Sequence, residues 1–249
     1  MQPDRYLIGT GRVSSVFSDG IYAYKTFTQT YPIEWINNEV LIQNEIKKKT
    51  SLPVLNYTFL KNTREIRMDL IKGISLADRL RHEKYKDAFH DMQQLQTQIY
   101  QYSKLDLPDA HEVFEKQIKQ SNLSEKHKSC ALSSLNSCLK MDILCHFDFH
   151  PENIMFDGTQ YYIIDWVNAR LGNPVLDLAR TFIILKQYIS RQANKYLREI
   201  TNTLGIDIAE VMKVVPAMAA IRLLEMDKGE FKESLVEMIE SHEHELLYQ

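Results

Sequence analysis

The segment His146-Phe147-Asp148-Phe149-His150-Pro151-Glu152-Asn153 holds the densest cluster of reactive side chains in the 249-residue sequence, and Asp165 of Ile163-Ile164-Asp165-Trp166 follows twelve residues beyond Asn153. Asp148, Asn153 and Asp165 are hard oxygen donors. Such donors suit Mg²⁺, which is usually held by one or two carboxylates plus substrate phosphates and keeps several waters. Asn153 offers a neutral oxygen, so a second metal contact adds no repelling anion. Asp148, five residues earlier, is left to accept a hydrogen bond from an incoming hydroxyl. A single Asp or Asn in a loop is more often a turn former, and His150 by itself reads as a packed or capping imidazole. The three donors together, flanked by apolar strand signals, read as a site.

Short strands must position these loops. Asn153 to Phe156 and Tyr161 to Ile164 flank Asp157-Gly158, a hairpin signal that brings the two loops together. Upstream, Tyr6 to Ile8, Ser15 to Phe17, Ile21 to Phe27, Val54 to Leu60 and Glu65 to Ile71 are rich in β-branched and aromatic residues and read as strands, with Asp19-Gly20 as a second hairpin turn. One helix interrupts them, from Glu34 to Lys48, between Pro32 and the Ser51-Leu52-Pro53 break. After Gly73 the period becomes helical, over Ser75 to Arg81, Tyr85 to Tyr102, Ala110 to Gln120, Glu125 to Leu139 and from Leu176 onward. In the last helix Phe231, Leu235, Met238 and Ile239 form one face, and Glu230, Glu233, Glu237 and Glu240 the other. The division expected from this change of period is a strand-rich lobe over 1–71 and a helical lobe over 72–249.

His-x-Asp-x-x-x-x-Asn followed by Ile-Ile-Asp-Trp resembles the catalytic signature of the aminoglycoside phosphotransferase and choline-kinase-like family of small-molecule kinases. The resemblance implies an α+β, bilobal, protein-kinase-like fold: a small antiparallel N-terminal sheet with one helix and a larger, mainly helical C-terminal lobe. It implies ATP as donor, with GTP left open, and Mg²⁺. Carried over to these positions, Asp148 is the catalytic base, Asn153 and Asp165 are the metal ligands, and His146 braces the loop. His150-Pro151 fits the family's form of that loop. Within Gly172 to Arg180, Asp177 buttresses it. Phe147 stands where the family usually has glycine.

Further matches lie upstream. Gly9-Thr10-Gly11-Arg12-Val13-Ser14 resembles a glycine-rich phosphate loop whose third glycine has become Ser14; glycine lets backbone amides approach phosphate oxygens closely. Lys25 sits in a strand that suits a buried sheet, where a lysine is costly unless paired. Its expected partner is Glu39, which shares a helical face with Trp35, Ile42 and Ile46; Glu45 is the rival. Ile66 to Gly73 resembles the family's hinge at the junction of the lobes, with Met68 behind the adenine and the backbone of Asp69 and Ile71 on its edge. Ser75 is a candidate helix cap.

Composition narrows the class. Hydrophobic residues are 44% and charged residues 25%, ordinary for a folded globular chain. A net charge of −3 argues against a nucleic-acid partner. No stretch approaches the roughly 20 apolar residues of a membrane span, and the N-terminus has no charged-then-apolar leader. Cys130, Cys138 and Cys145 suggest reduced thiols in a cytoplasm. The sequence is silent on oligomeric state.

The expected activity is transfer of the γ-phosphoryl group of ATP to a hydroxyl of a small acceptor: an aminoglycoside, a choline-like amine, a sugar or a related metabolite. Glu225, Asp227 and Glu230 could attract a cationic acceptor, although a solvated helix surface is the favoured reading of such residues. A catalytically silent nucleotide-binding regulator is the alternative suggested by Phe147 and Ser14. A protein kinase is the other, opposed by the eleven residues between Asp165 and Asp177, which leave little room for a peptide platform.

Overall fold

A computed structural model describes residues 4–225, 229 and 231–246. The chain forms two compact units, one of residues 1–88 and 151–167 and the other of 89–150 and 168–249.

In the first unit β1 (Tyr6–Thr10), β2 (Ser14–Ser18), β3 (Tyr22–Phe27), β4 (Tyr57–Leu60) and β5 (Glu65–Asp69) make an antiparallel sheet in the order β1-β2-β3-β5-β4. Helix α1 (Ile33–Lys49) packs on it. Phe27, Ile36, Val40, Leu55, Tyr57 and Ile66 close the core between them. Glu34 in the first turn and Lys47, Lys48 and Lys49 in the last turn complement the helix dipole. The strand expected to begin at Val54 begins at Tyr57. The carbonyls of Val54 and Leu55 accept instead from Lys47 and Gln43 of α1, so this backbone is satisfied without a ladder.

Both Asp-Gly turns form with positive φ at the glycine only, +89° at Gly20 and +100° at Gly158. The aspartate stays on the usual side because its carboxylate accepts from amides ahead of it. Asp19 takes those of Ile21 and Tyr22, and Asp157 those of Thr159 and Gln160.

A second sheet, β6-β8-β9, joins β6 (Ile74–Ser75) to the hairpin of β8 (Ile154–Phe156) and β9 (Tyr161–Ile163). Both 72–88 and 151–167 belong to the same compact unit as the N-terminal sheet, and this pairing joins residues 74–75 to 155–156. Gly73 permits it: a Cβ there would lie 1.9 Å from the Phe156 carbonyl oxygen. Ser75 caps α2 (Leu76–Asp78) by accepting from the Asp78 amide, and the chain continues as a π turn over Arg79–Glu83.

The second unit is built on α3 (Ala88–Ile99), α4 (Ala110–Gln120), α5 (Glu125–Asn136), α6 (Pro174–Leu204), α7 (Ile208–Glu225) and α8 (Lys232–Leu246), with α6 kinked at Ile189. A two-stranded ladder, β7 (Ile143–Cys145) with β10 (Arg170–Gly172), carries the functional loop. In α8, Leu235 and Ile239 are buried while Glu233 and Glu237 are exposed, as the periodicity predicts. Asp227 and Glu230 lie outside the described residues. Among the described residues no helix is long and apolar enough to cross a membrane.

Candidate active site

The first unit contains a cavity of about 660 Å³, within the size range of small-molecule sites. Gly9, Gly11, Ser14, Lys25, Glu39, Met68, Asp69, Ile71, Asn153 and Asp165 all line it. These are the ten residues assigned from the sequence to nucleotide and metal contacts. The turn between β1 and β2 is closed by the Gly11 amide on the Ser14 carbonyl at 2.8 Å. A methyl group on Gly9 would meet Val16 no closer than 3.8 Å, so the protein's own packing leaves room for a side chain there. Ala23, Leu55 and Ile164 contribute to an apolar part of the lining. Sequence reading did not single these out, because residues of this kind are indistinguishable from ordinary core.

Charges inside the cavity are paired. Lys25 Nζ lies 2.7 Å from Glu39 Oε1 and 3.2 Å from Asp165 Oδ1. Burial opposes the lysine's charge, but the carboxylates of Asp165 and Glu39 outweigh it and raise its pKa above the ordinary value. Burial pushes the Glu39 carboxyl up, with the Lys25 ammonium pulling the other way. Glu39 belongs to the buried face of α1 with Ile36, Val40, Ile42, Gln43 and Ile46. Trp35, expected on that face, is 59% exposed and stands against Tyr31 instead. Asp165 has φ +62°, a left-handed conformation that turns the chain between β9 and the next 3₁₀ turn, Trp166–Asn168. Asn153 ends the 3₁₀ turn Pro151–Asn153, and its carbonyl accepts from the Ile164 amide at 3.0 Å, tying together the loops that carry the two proposed metal ligands.

Asp148 belongs to the second unit, in the loop after β7. Its Oδ2 is 3.7 Å from His150 Nε2, and its amide donates to His146 Nδ1 at 3.2 Å. Burial works against ionisation of its carboxyl, but His150, Arg180 and His146 outweigh it and hold the pKa below the ordinary value. His150 therefore does more than fill space. It faces the carboxylate, an assignment that loop spacing alone does not supply. Asp177 takes the Phe147 amide at 2.6 Å, the Tyr100 hydroxyl at 2.7 Å and the Gln96 amide at 3.1 Å. Phe147 has φ +58°, so it adopts the backbone that glycine would. Its buried ring packs edge-on against Phe114 at 4.9 Å; nearby, Gly172 admits the close approach of Ala110, whose Cβ would lie 2.8 Å from a Cβ at 172.

The model of the phosphotransferase enzyme family matches residues 69–211, more than half of the chain. The chain belongs to that family. No curated protein matches it. Among solved structures, it is similar to the choline kinase of Streptococcus pneumoniae, at 13% identity with a TM-score of 0.65, covering 95% of this chain and 93% of that one. A choline/ethanolamine kinase family protein from Mesorhizobium loti gives 16% identity and a TM-score of 0.64, covering 98% of this chain and 81% of that one. A thermostable mutant of an aminoglycoside phosphotransferase, in ternary complex with AMP-PNP and hygromycin B, gives 14% and 0.65, covering 89% of this chain and 86% of that one. The fold is thus the protein-kinase-like α+β fold of phosphotransferases.

Of the oxygen donors on the cavity wall, the carboxylate of Asp165 and the amide oxygen of Asn153 are the pair that the sequence assigns to a divalent ion. That hard, oxygen-only pair fits Mg²⁺ completed by phosphate oxygens and water better than a softer metal. Lys25, on Asp165, supplies positive charge on the same wall.

Proposed function

We propose that the chain is a cytoplasmic small-molecule kinase that moves the γ-phosphoryl group of ATP to an acceptor hydroxyl. The reading is supported chiefly by the shared lining of one cavity by a glycine turn, a doubly paired lysine and an Asn/Asp oxygen pair. Lys25 is held by Glu39 in an orientation suited to the α and β phosphates, and the turn at Gly9 to Ser14 offers backbone amides to the phosphate chain. Asn153 and Asp165 would hold Mg²⁺, whose contribution is positive charge against the triphosphate. Met68, Asp69 and Ile71 would frame the base.

Asp148 is the proposed general base. It accepts the hydroxyl proton as the acceptor oxygen bonds to the γ-phosphorus and the bond to the β,γ-bridging oxygen breaks, releasing ADP. His150 faces its carboxylate, and His146 holds its backbone amide. Positioning and charge neutralisation carry most of such a reaction.

Phe147, which suggested a silent regulator, occupies the left-handed conformation a glycine would take, so the loop does not lose its shape for want of glycine. Between Asp165 and Asp177, the 3₁₀ turn Trp166–Asn168, β10 and the Asn173 cap of α6 use most of the segment, which disfavours a peptide platform. The test is ADP release by the purified chain with Mg·ATP and a panel of hydroxylated metabolites, amines and aminoglycosides. Acceptor-stimulated release is expected. Binding of Mg·ATP with no turnover across the panel would favour the regulator, and failure to bind it would sink the kinase reading.

A further inference from the structure

Arg180, on α6, is 2% exposed and donates through Nη2 to Glu225 Oε2 at the end of α7. Its Nε and Nη1 are buried with no hydrogen-bond partner. Arg222, about one turn before Glu225 on α7, places Nη1 3.8 Å from the same carboxylate oxygen and donates from Nε to Gln187 at 3.4 Å. Arg170 of β10 also feels the Glu225 charge. Asp148 belongs to the same electrostatic neighbourhood: Arg180 helps to hold it ionised, and its charge acts back on Arg222.

Arg180 and Arg222 thus converge on one carboxylate oxygen of Glu225. A strut between α6 and α7 needs only the Arg180–Glu225 pair. Arg222 is surplus to that role, and burial together with the neighbouring Arg180 lowers its pKa. Buried donors without acceptors are costly, and guanidinium forks match carboxylate and phosphate oxygens. Glu225, which the sequence offers as an attractor of cations, is instead taken up by arginines. A cationic acceptor would meet like charge beside Asp148.

We propose that the acceptor carries an anionic group, a carboxylate or a phosphate, beside its reacting hydroxyl, and that Arg222 with Arg180 forms the subsite that holds it. The proposal rests on the kinase reading above and adds the charge of the substrate.

The test uses the full chain saturated with Mg·AMP-PNP, so that the nucleotide cavity is filled, and titrates inorganic phosphate and acetate by calorimetry. At least one is expected to bind in the millimolar range, at least tenfold more weakly in Arg222→Gln and nearer to wild type in Arg222→Lys. Nucleotide binding with no response to either anion overturns the subsite alone, as does equal binding by Arg222→Gln. Failure of Mg·AMP-PNP itself to bind overturns the kinase reading instead. The wild-type titration needs no variant to fold. With Mg·ATP, matched pairs such as serine against serinamide and ribose 5-phosphate against ribose separate carboxylate from phosphate recognition. A kcat/KM at least tenfold higher for the anionic member is expected, and a preference for choline or an aminoglycoside over every anionic acceptor refutes the proposal.

Discussion

The two units handle buried charge in opposite ways. In the first, Lys25 is enclosed by two carboxylates, Glu39 and Asp165, so a cation sits in an anionic setting. In the second, Asp148 is a carboxylate among His150, Arg180 and His146. A phosphate arriving at the first must compete with Asp165 for Lys25, and a metal on Asp165 would relieve that competition. A hydroxyl arriving at the second would meet the proposed base already stripped of its proton. One unit is therefore suited to exchanging partners and the other to holding one protonation state.

The largest effect that could break this contrast is chemical. Asp148→Asn is expected to lower acceptor-dependent kcat by about 10³-fold, near the middle of the range for loss of a general base, while Mg·ATP still raises the melting temperature. ADP release and thermal unfolding measured on one preparation check both halves. Near-normal turnover in the folded variant would remove the base from the second unit.

Next in size is the loss of Lys25. Lys25→Met is expected to abolish stabilisation by Mg·ATP and to cost about 3 kcal/mol in urea unfolding, because a buried carboxylate loses its partner. Adding Glu39→Gln to that variant should recover part of the stability and none of the nucleotide response. Additive losses in this double-mutant cycle would show that the 2.7 Å pair is not energetically coupled.

In the second unit, Phe147 tests whether the loop is held by its ring or merely tolerates it. Phe147→Gly removes a buried ring, worth about 3 kcal/mol or more, but relieves a left-handed backbone at φ +58°, worth about 1 kcal/mol. A net loss of about 2 kcal/mol is expected, with Phe147→Ala worse than Phe147→Gly because it keeps the strain without the ring. The reverse order would mean that the strain is unimportant. Urea midpoints at constant m-value decide it.

Those same residues explain what could be read from the sequence. Helical spacing puts Glu39 on the inward face with Ile42 and Ile46, and the resemblance to the family is what favours it over Glu45. Trp35 falls off the buried face because the spacing fixes a stripe but not its edges. Strands β6, β7 and β10 were not foreseen: at two or three residues each they carry no period, and only pairing with distant segments makes them strands. The cavity's polar wall could be named because each polar group there has a chemical reason to be in a kinase motif. The arginine cluster could not. Arg180 and Arg222 are 42 residues apart, and helix periodicity does not reveal that two helices direct their guanidiniums at one glutamate.

The smallest effect expected is an absence of one, in the pH dependence. The folded pKa of Asp148 lies below its ordinary value of 3.8. Its contribution to stability is therefore complete above about pH 5, and it is lost as pH falls past the unfolded value and through the lower folded one. The base should likewise be ready throughout the neutral range, so kcat/KM for an acceptor of fixed charge should show no acid limb from Asp148 between about pH 5 and 8. Replacing His150 by Gln removes a principal influence holding that carboxyl down, and any acid limb should then move toward neutrality. A wild-type limb near pH 6 that Asp148→Glu shifts would show that Arg180 and the imidazoles around Asp148 fail to outweigh its burial, and the contrast between the two units would disappear.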